Sequence, residues 1–203
     1  MTPQIETASD AMFSPSVKAV QSRRGSRASY AAKANRDGFP TEITPELAAW
    51  LAERDSFYLA TASAAGQPYI QHRGGPAGFL RVLDSKTLAF VDYRGNRQYI
   101  TTGNLAENSR AMMFLMDYAN RSRIKIWGTA RVVEDDKALI ARLMPENSQA
   151  RPEQVILFNV EVWDSNCPQH IPQLLPMTDV AALVQTLQTR ITELEHQIAA
   201  LAG

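Results

Sequence analysis

Hydrophobic and polar residues alternate with the short period of β-strands through the middle of the chain, from about residue 57 to residue 163. Six strands are expected there, joined by turns such as those at residues 64–67 and 84–86. Short helices are predicted between strands at about 97–106 and 135–144. Regular strand–helix–strand units are missing. The pattern therefore favours a mainly β, α+β fold with an antiparallel barrel over a parallel sheet.

The two ends of the chain carry helical patterns instead. The N-terminal arm, residues 1–40, is expected to form a helix over about 16–34, although Gly25 weakens it by about 1 kcal/mol relative to alanine. The central domain, residues 41–176, begins with a helix start at Thr44 and Pro45. Threonine caps free N–H groups there, and proline fits the first helical position.

The C-terminal segment, residues 177–203, repeats apolar side chains at spacings of 3 and 4. β-branched residues occupy the a positions of this heptad pattern and leucine the d positions, which favours a parallel two-stranded coil. Arg190 at g is placed to pair with Glu195 at e of a partner. Two interpretations stay open: self-association, or an amphipathic helix lying on its own domain. The repeated residues are Val184, Leu187, Ile191, Leu194, Ile198 and Leu201.

Composition limits the classes of function. The 203 residues include 21 Lys plus Arg and 21 Asp plus Glu, which argues against a protein that coats nucleic acid or an anionic membrane. The single cysteine, Cys167, excludes an intramolecular disulfide framework and a multi-cysteine metal site. Neither a run of about 18 apolar residues nor a signal-peptide pattern is present. A cytoplasmic protein without membrane or nucleic-acid partners is expected.

One basic run and three scattered histidines complete the charge pattern. The basic run lies in the N-terminal arm, where a solvated helix face or a packing arm is favoured over a phosphate or nucleic-acid contact. The histidines are far apart in sequence, so no metal site is expected. The basic residues are Arg23, Arg24, Arg27, Lys33 and Arg36, and the histidines are His72, His170 and His196.

Motifs of the common nucleotide-binding folds and hydrolases are missing, and three polar segments at strand ends remain as candidates. Residues 71–76 offer glycine N–H groups and the Arg73 guanidinium to an anion; the alternative is a flexible loop with a solvated arginine. Residues 92–98 lie where a strand ends and a helix is expected to begin. Free N–H groups and the helix dipole favour phosphate at such a start.

The third segment, residues 121–125, places two cations on a strand. Arg123 and Lys125 alternate with isoleucines, so both should project from one face. Cations side by side repel unless an anion or an electron-rich ring compensates. One alternative is neutralisation at the surface by Asp117, Glu134 or Asp135. Another is an edge strand whose lysine prevents aggregation.

These segments together resemble the pyridoxamine 5′-phosphate oxidase-like flavin-nucleotide-binding proteins, which have a split β-barrel fold. The resemblance covers a little over half of the chain, about residues 57–170. It leaves out the N-terminal arm and the heptad segment. It rests on residues 58–61, Gly66-Gln67-Pro68-Tyr69, His72-Arg73-Gly74-Gly75, residues 92–98, residues 104–108, Trp127-Gly128, Trp163-Asp164 and Cys167-Pro168-Gln169-His170.

The resemblance implies FMN at the interface of a homodimer. The phosphate and ribityl chain would be held by the first two segments, and the end of the strand before the helix would lie along the flavin. A cation near the ring, Arg123 or Lys125, would stabilise the reduced flavin and raise its potential. Trp163 and His170 would close the pocket. The remaining implied residues are Gln71, His72, Arg73, Gly74, Val91, Asp92, Tyr93, Asn96, Arg97 and Gln98.

The chain departs from the true oxidase near its C-terminal end. The oxidase has a substrate-clamping motif of the Arg-Leu-His-Asp-Arg kind, where this chain has residues 166–172 and then a helix. We therefore expect an FMN-dependent oxidoreductase of unknown substrate and unknown catalytic residues, not a pyridoxamine 5′-phosphate oxidase. The alternative is a non-catalytic module that binds flavin, deazaflavin or haem as a carrier or sensor.

Overall fold

Seven antiparallel strands form one sheet in the computed structural model, which describes residues 7–36, 38–146, 148–165 and 168–202. Their order is β2-β1-β5-β6-β7-β4-β3. The predicted α+β antiparallel barrel architecture is confirmed. The sheet has seven strands instead of the expected six. The short strand β3 pairs with β4 across the predicted turn at residues 84–86. The strands are β1 (Ser56–Ala62), β2 (Pro68–Gly74), β3 (Arg81–Val82), β4 (Thr87–Tyr93), β5 (Arg110–Asp117), β6 (Ser122–Val133) and β7 (Pro152–Ser165).

The described residues also form six α-helices. The predicted cap is present, since Thr44 Oγ1 accepts a hydrogen bond from Leu47 N at 3.2 Å. The expected helix over 16–34 is divided into two, because Gly25 adopts the left-handed conformation (φ 81°) and ends the first. The helices are α1 (Pro15–Arg24), α2 (Arg27–Arg36), α3 (Pro45–Ala52), α4 (Ile100–Glu107), α5 (Lys137–Leu143) and α6 (Met177–Ala202).

Helix α4 begins three residues later than predicted. Arg97 and Tyr99 have left-handed backbone angles, with φ of 62° and 54°. A left-handed residue cannot continue an α-helix. The predicted donors at 96–98 therefore lie in a loop that leads into the helix.

Strand β4 is buried on both faces, which fixes the floor of the site described below. Leu88 and Phe90 face the main core between the curved strands, and Ala89 and Val91 pack under α5. A continuous apolar run is typical of a strand covered on both sides. The strand therefore holds its last residues, Asp92 and Tyr93, in a fixed place.

Strands β6 and β7 pair through a β-bulge. Trp127 pairs with Val162, but the next residue, Gly128, pairs with Val160, so β7 carries one extra residue, Glu161. A Cβ atom on Gly128 would lie 1.9 Å from the Asn159 carbonyl oxygen. Only glycine permits the two backbones to approach so closely.

The basic N-terminal arm makes specific contacts with neighbouring residues. Lys33 Nζ lies 3.1 Å from an Asp164 carboxylate oxygen and 4.5 Å from the centre of the Phe39 ring. Arg27 donates a hydrogen bond to the Gln21 side chain at 3.1 Å. These contacts support the interpretation of this segment as a packing arm.

The described residues divide into two compact units: 7–116 with 123–165, and 117–122 with 168–202. In the second unit, the segment before α6 packs on the turn between β5 and β6. Arg121 Nε donates to the Ile171 carbonyl at 3.1 Å, and Gln173 Nε2 donates to the Ala119 carbonyl at 2.9 Å. Within the described ranges, no helix combines the length and the apolar character needed to cross a membrane.

Candidate functional site

A cavity of about 360 Å³ lies where β4 ends and the loop to α4 begins. Strand β2 forms one wall, and the loop 94–98 and the start of α4 form another. The cavity contains ten of the fourteen residues that sequence analysis assigns to a cofactor. These are Gln71, His72, Arg73, Gly74, Val91, Asp92, Tyr93, Asn96, Arg97 and Gln98.

The floor of the cavity is a buried hydrogen-bonded network. Arg73 forms an ion pair with Asp92, and its Nη2 donates to Thr101 Oγ1 at 3.2 Å. Gln154 Nε2 donates to the second Asp92 oxygen and to Thr102 Oγ1, both at 2.9 Å. Asp92 is only 8 % exposed, so its negative charge balances Arg73 within the protein. The network fixes Arg73 in position.

The rim of the cavity is exposed and is also hydrogen-bonded. Arg97 Nε donates to the Tyr99 hydroxyl at 2.9 Å, and this hydroxyl donates to Glu153 Oε1 at 2.7 Å. The hydrogen bond that Arg97 donates to Tyr99 holds the pKa of Arg97 above its ordinary value. The Gln98 N–H donates to Asn96 Oδ1 at 3.2 Å. These bonds shape the loop while the Arg97 guanidinium stays at the surface.

The donors of the cavity suit an anion. Arg94 and Arg97 line it beside the carboxylate of Glu153, while Asp92 is already balanced by Arg73. Left-handed residues in a loop are costly and concentrate at functional sites. Guanidinium groups and loop N–H groups are the donors that bind phosphate oxygens.

Two buried side-chain nitrogens lack a hydrogen-bond partner among the described residues. They are Arg73 Nε and Arg123 Nε. An unpaired buried donor costs about 1–3 kcal/mol, so each one calls for an explanation such as a bound ligand. Both atoms belong to arginines that sequence analysis assigns to the cofactor.

Arg123, Lys125 and Trp163 lie on β6 and β7 and do not line the cavity. Burial lowers the pKa of Lys125, the neighbouring Arg123 lowers it further, and Asp164 opposes both effects. Lys125 Nζ also lies 5.1 Å from the centre of the Trp127 ring. The carboxylate that acts on Lys125 is thus Asp164, its partner across the ladder, and not one of the three acids expected from the sequence.

Trp163 is held by backbone contacts. Its indole N–H donates to the Glu42 carbonyl at 2.8 Å, and its backbone N–H donates to the Pro40 carbonyl at 3.0 Å. The fourth remaining residue, His170, belongs to the second unit and has a left-handed φ of 65°. Cys167, part of the motif 167–170, lies outside the described residues.

Three polar residues of the buried network were not predicted from the sequence: Thr101 and Thr102, which line the cavity, and Gln154, which bonds to Asp92 and Thr102. Thr101 and Gln154 are buried, 5 % and 4 % exposed. Gln154 is the partner of Asp92 across β4 and β7, 62 positions away in sequence. The one available signal is a glutamine directly before the apolar run 155–158 of β7.

A family model described as pyridoxamine 5′-phosphate oxidase matches residues 43–167, more than half of the chain. The chain belongs to the pyridoxamine 5′-phosphate oxidase family. The matched residues include the whole sheet and every residue that lines the cavity of this family member. No curated protein sequence gives a significant match.

Solved structures of similar proteins include three from bacteria. HupZ from Group A Streptococcus is 21 % identical, with a TM-score of 0.47, covering 66 % of this chain and 99 % of that one. An FMN-binding protein from Syntrophomonas wolfei is 13 % identical, with a TM-score of 0.48, covering 76 % and 99 %. HutZ, a haem storage protein from Vibrio cholerae, is 17 % identical, with a TM-score of 0.39, covering 59 % and 89 %.

Proposed function

We propose that this family member binds FMN, with the phosphate at the loop 94–98, and acts as a flavin-dependent oxidoreductase. The observation that carries the proposal is the cavity at the end of β4. It joins the exposed Arg94 and Arg97 to a partly buried arginine, Arg73, whose buried Nε has no partner among the described residues. Its volume of about 360 Å³ falls within the range of small-molecule sites.

The residues of the cavity fit the chemistry of a phosphate monoester. Arg97 and the loop N–H groups would hold the phosphate oxygens, and Asp92 would keep Arg73 oriented toward the cavity. A bound flavin supplies hydride and one-electron transfer, so the protein needs no nucleophile of its own. The protein contributes binding and orientation.

We further propose that a second copy covers the outer face of the sheet and completes the flavin site. Residues paired across strands share a face, so Tyr58 lies beside His72 of β2 and Phe114 of β5. Tyr58 is 41 % exposed, and Ile70 on the same face is 65 % exposed. Exposed apolar surface of this kind is typical of interfaces. Lys125 and Arg123 would then lie near a flavin ring between the two copies.

Titration of the purified protein with FMN tests the proposal. We expect saturable binding with absorption bands near ~375 and ~450 nm, as for an oxidised protein-bound flavin. We also expect the bound flavin to be reduced by NAD(P)H or a reductase and reoxidised over repeated turnover. Binding without turnover would favour a carrier or sensor, and a Soret band with haem but no FMN binding would contradict the proposal.

Removing a cation from β6 should lower the reduction potential of the bound flavin. The reduced flavin carries negative charge, which Arg123 or Lys125 would stabilise. We expect Arg123→Ala and Lys125→Met each to shift the potential down by about 30 mV, equivalent to about 1.4 kcal/mol for two electrons. Spectroelectrochemistry measures the shift, with Arg131→Ala on the same strand as a control. If the flavin stays bound and its reduction potential is unchanged in both variants, Arg123 and Lys125 have only a structural role.

A further inference from the structure

Helix α6 exposes an apolar stripe along its whole length. The heptad residues predicted from sequence are between 41 % exposed at Leu194 and 89 % exposed at Leu201. The same spacing extends backward to Val180 and to Met177, which is 79 % exposed. The stripe therefore covers residues 177–201, more than three heptads, within one uninterrupted helix. We call it the α6 seam.

We propose that the α6 seam forms a parallel two-stranded coiled coil with the same helix of a second copy. The a positions after Met177 hold Val184, Ile191 and Ile198, and d positions from Leu187 onward hold leucine. β-branched residues at a with leucine at d pack best in parallel dimers, whereas leucine at a with isoleucine at d favours larger assemblies. The order of these residues thus selects both the number of strands and their direction.

The charged side chains beside the α6 seam also favour a second copy of this chain as the partner. In a parallel dimer, Arg190 at g lies next to Glu195 at e of the other helix. Within one chain, Arg190 Nη1 lies 2.8 Å from Glu193 Oε2, with both side chains more than half exposed. Exposed pairs contribute little, so Arg190 can change partner at small cost. A second copy is therefore complementary in charge as well as in shape.

A lipid surface fits the helix less well. The polar positions of α6 carry Asp179, Glu193 and Glu195 against a single cation, Arg190. Helices that lie on membranes usually have a polar face rich in lysine and arginine. The acidic polar face favours a protein partner over an anionic membrane.

The α6 seam shares no residue with the sheet face proposed to complete the flavin site. A seam of 25 residues is about 37 Å long, and a coil this short is marginal by itself. A second contact between the same two copies would raise the effective concentration of their α6 helices. Neither contact requires FMN.

Disulfide trapping in the full-length chain tests the parallel arrangement. With Cys167 replaced by serine, Ile198→Cys introduces one thiol in the seam and His196→Cys one thiol on the outer face. We expect rapid oxidation to a covalent dimer for Ile198→Cys and little for His196→Cys. In an antiparallel pair over the whole seam, position 198 would face position 180 of the other helix, so the two residue-198 thiols would lie about 27 Å apart. Equal cross-linking of both variants, or of neither, overturns the proposal.

Charge substitutions measure what the seam contributes to assembly. Ile191→Glu with Leu194→Glu disrupts the seam, and Thr189→Glu with Thr192→Glu adds the same charges to the outer face. Sedimentation of the full chain measures the dimer dissociation constant, and FMN affinity per site is measured in parallel. We expect the constant to rise at least tenfold in the seam variant and to stay unchanged in the outer-face variant. The coiled-coil proposal would be overturned by an unchanged dissociation constant or by a trimer. It would also be overturned if the seam bound phosphatidylserine vesicles and the chain did not self-associate. If the wild-type chain does not bind FMN, only the proposed function is overturned.

Discussion

Replacing Gly128 with alanine should destabilise the protein by about 3 kcal/mol or more. The new Cβ would lie 1.9 Å from the Asn159 carbonyl oxygen, a backbone atom that no side-chain rotation can move away. Either the bulge opens and its hydrogen bonds are lost, or β6 separates from β7. Urea unfolding of the variant should show a much lower midpoint than the wild type.

Gly103→Ala is the matched control for this substitution. Gly103 lies inside α4 with nothing within 4 Å of its added Cβ. Alanine is a better helix former than glycine, so this variant should be as stable as the wild type or up to about 1 kcal/mol more stable. A Gly128→Ala protein with wild-type stability would show that the two strands can separate locally without cost.

Arg97→Ala should weaken FMN binding by about 1.5–3 kcal/mol and leave the binding of riboflavin unchanged. Riboflavin lacks the phosphate, so the difference between the two ligands isolates the contact with Arg97. The guanidinium is exposed at the rim and bonds only to Tyr99 in the described part of the chain, so folding should be unaffected within about 0.5 kcal/mol. Calorimetric titration with both ligands measures the effect, with Arg131→Ala as a control. Equal losses for FMN and riboflavin would contradict the assignment.

Arg73→Ala should behave differently, because Arg73 is part of the fold as well as of the cavity. Its removal leaves the buried Asp92 without a cation, which should destabilise the protein by about 3 kcal/mol. Adding Asp92→Asn removes the stranded charge and should restore part of the loss. Urea unfolding of the single and double variants decides this. A double variant less stable than Arg73→Ala would mean that Asp92 has a separate structural role.

Local sequence patterns were sufficient to predict the strands and the cap of α3. Alternation and turn residues act over a few positions, and Thr44 caps the helix that follows it. The late start of α4 could not be predicted, because the left-handed angles of Arg97 and Tyr99 are imposed by the loop and its hydrogen bonds to Glu153. Neither residue belongs to the types that favour this conformation.

Long-range pairing accounts for the parts of the site that sequence analysis missed. Gln154 bonds to Asp92 only because β7 pairs with β4, and Asp164 acts on Lys125 only because β7 pairs with β6 in one particular register. Ten of the residues predicted to bind a cofactor nevertheless line one cavity, because their segments lie at strand ends that the resemblance brings to one site.

The bulge at Gly128 also sets the electrostatics of the strand beside it. Beyond the bulge, Lys125 pairs with Asp164 and Ile126 pairs with Trp163. If the pairing of Gly128 with Val160 continued without the bulge, Glu161 would pair with Trp127, Lys125 would face Trp163, and Asp164 would move to the face of the buried Ile124. Leaving Glu161 out of the ladder therefore keeps a carboxylate opposite Lys125. A strand pair that took Glu161 into its ladder would exchange that carboxylate for an indole beside the cation and would direct an acid at the core.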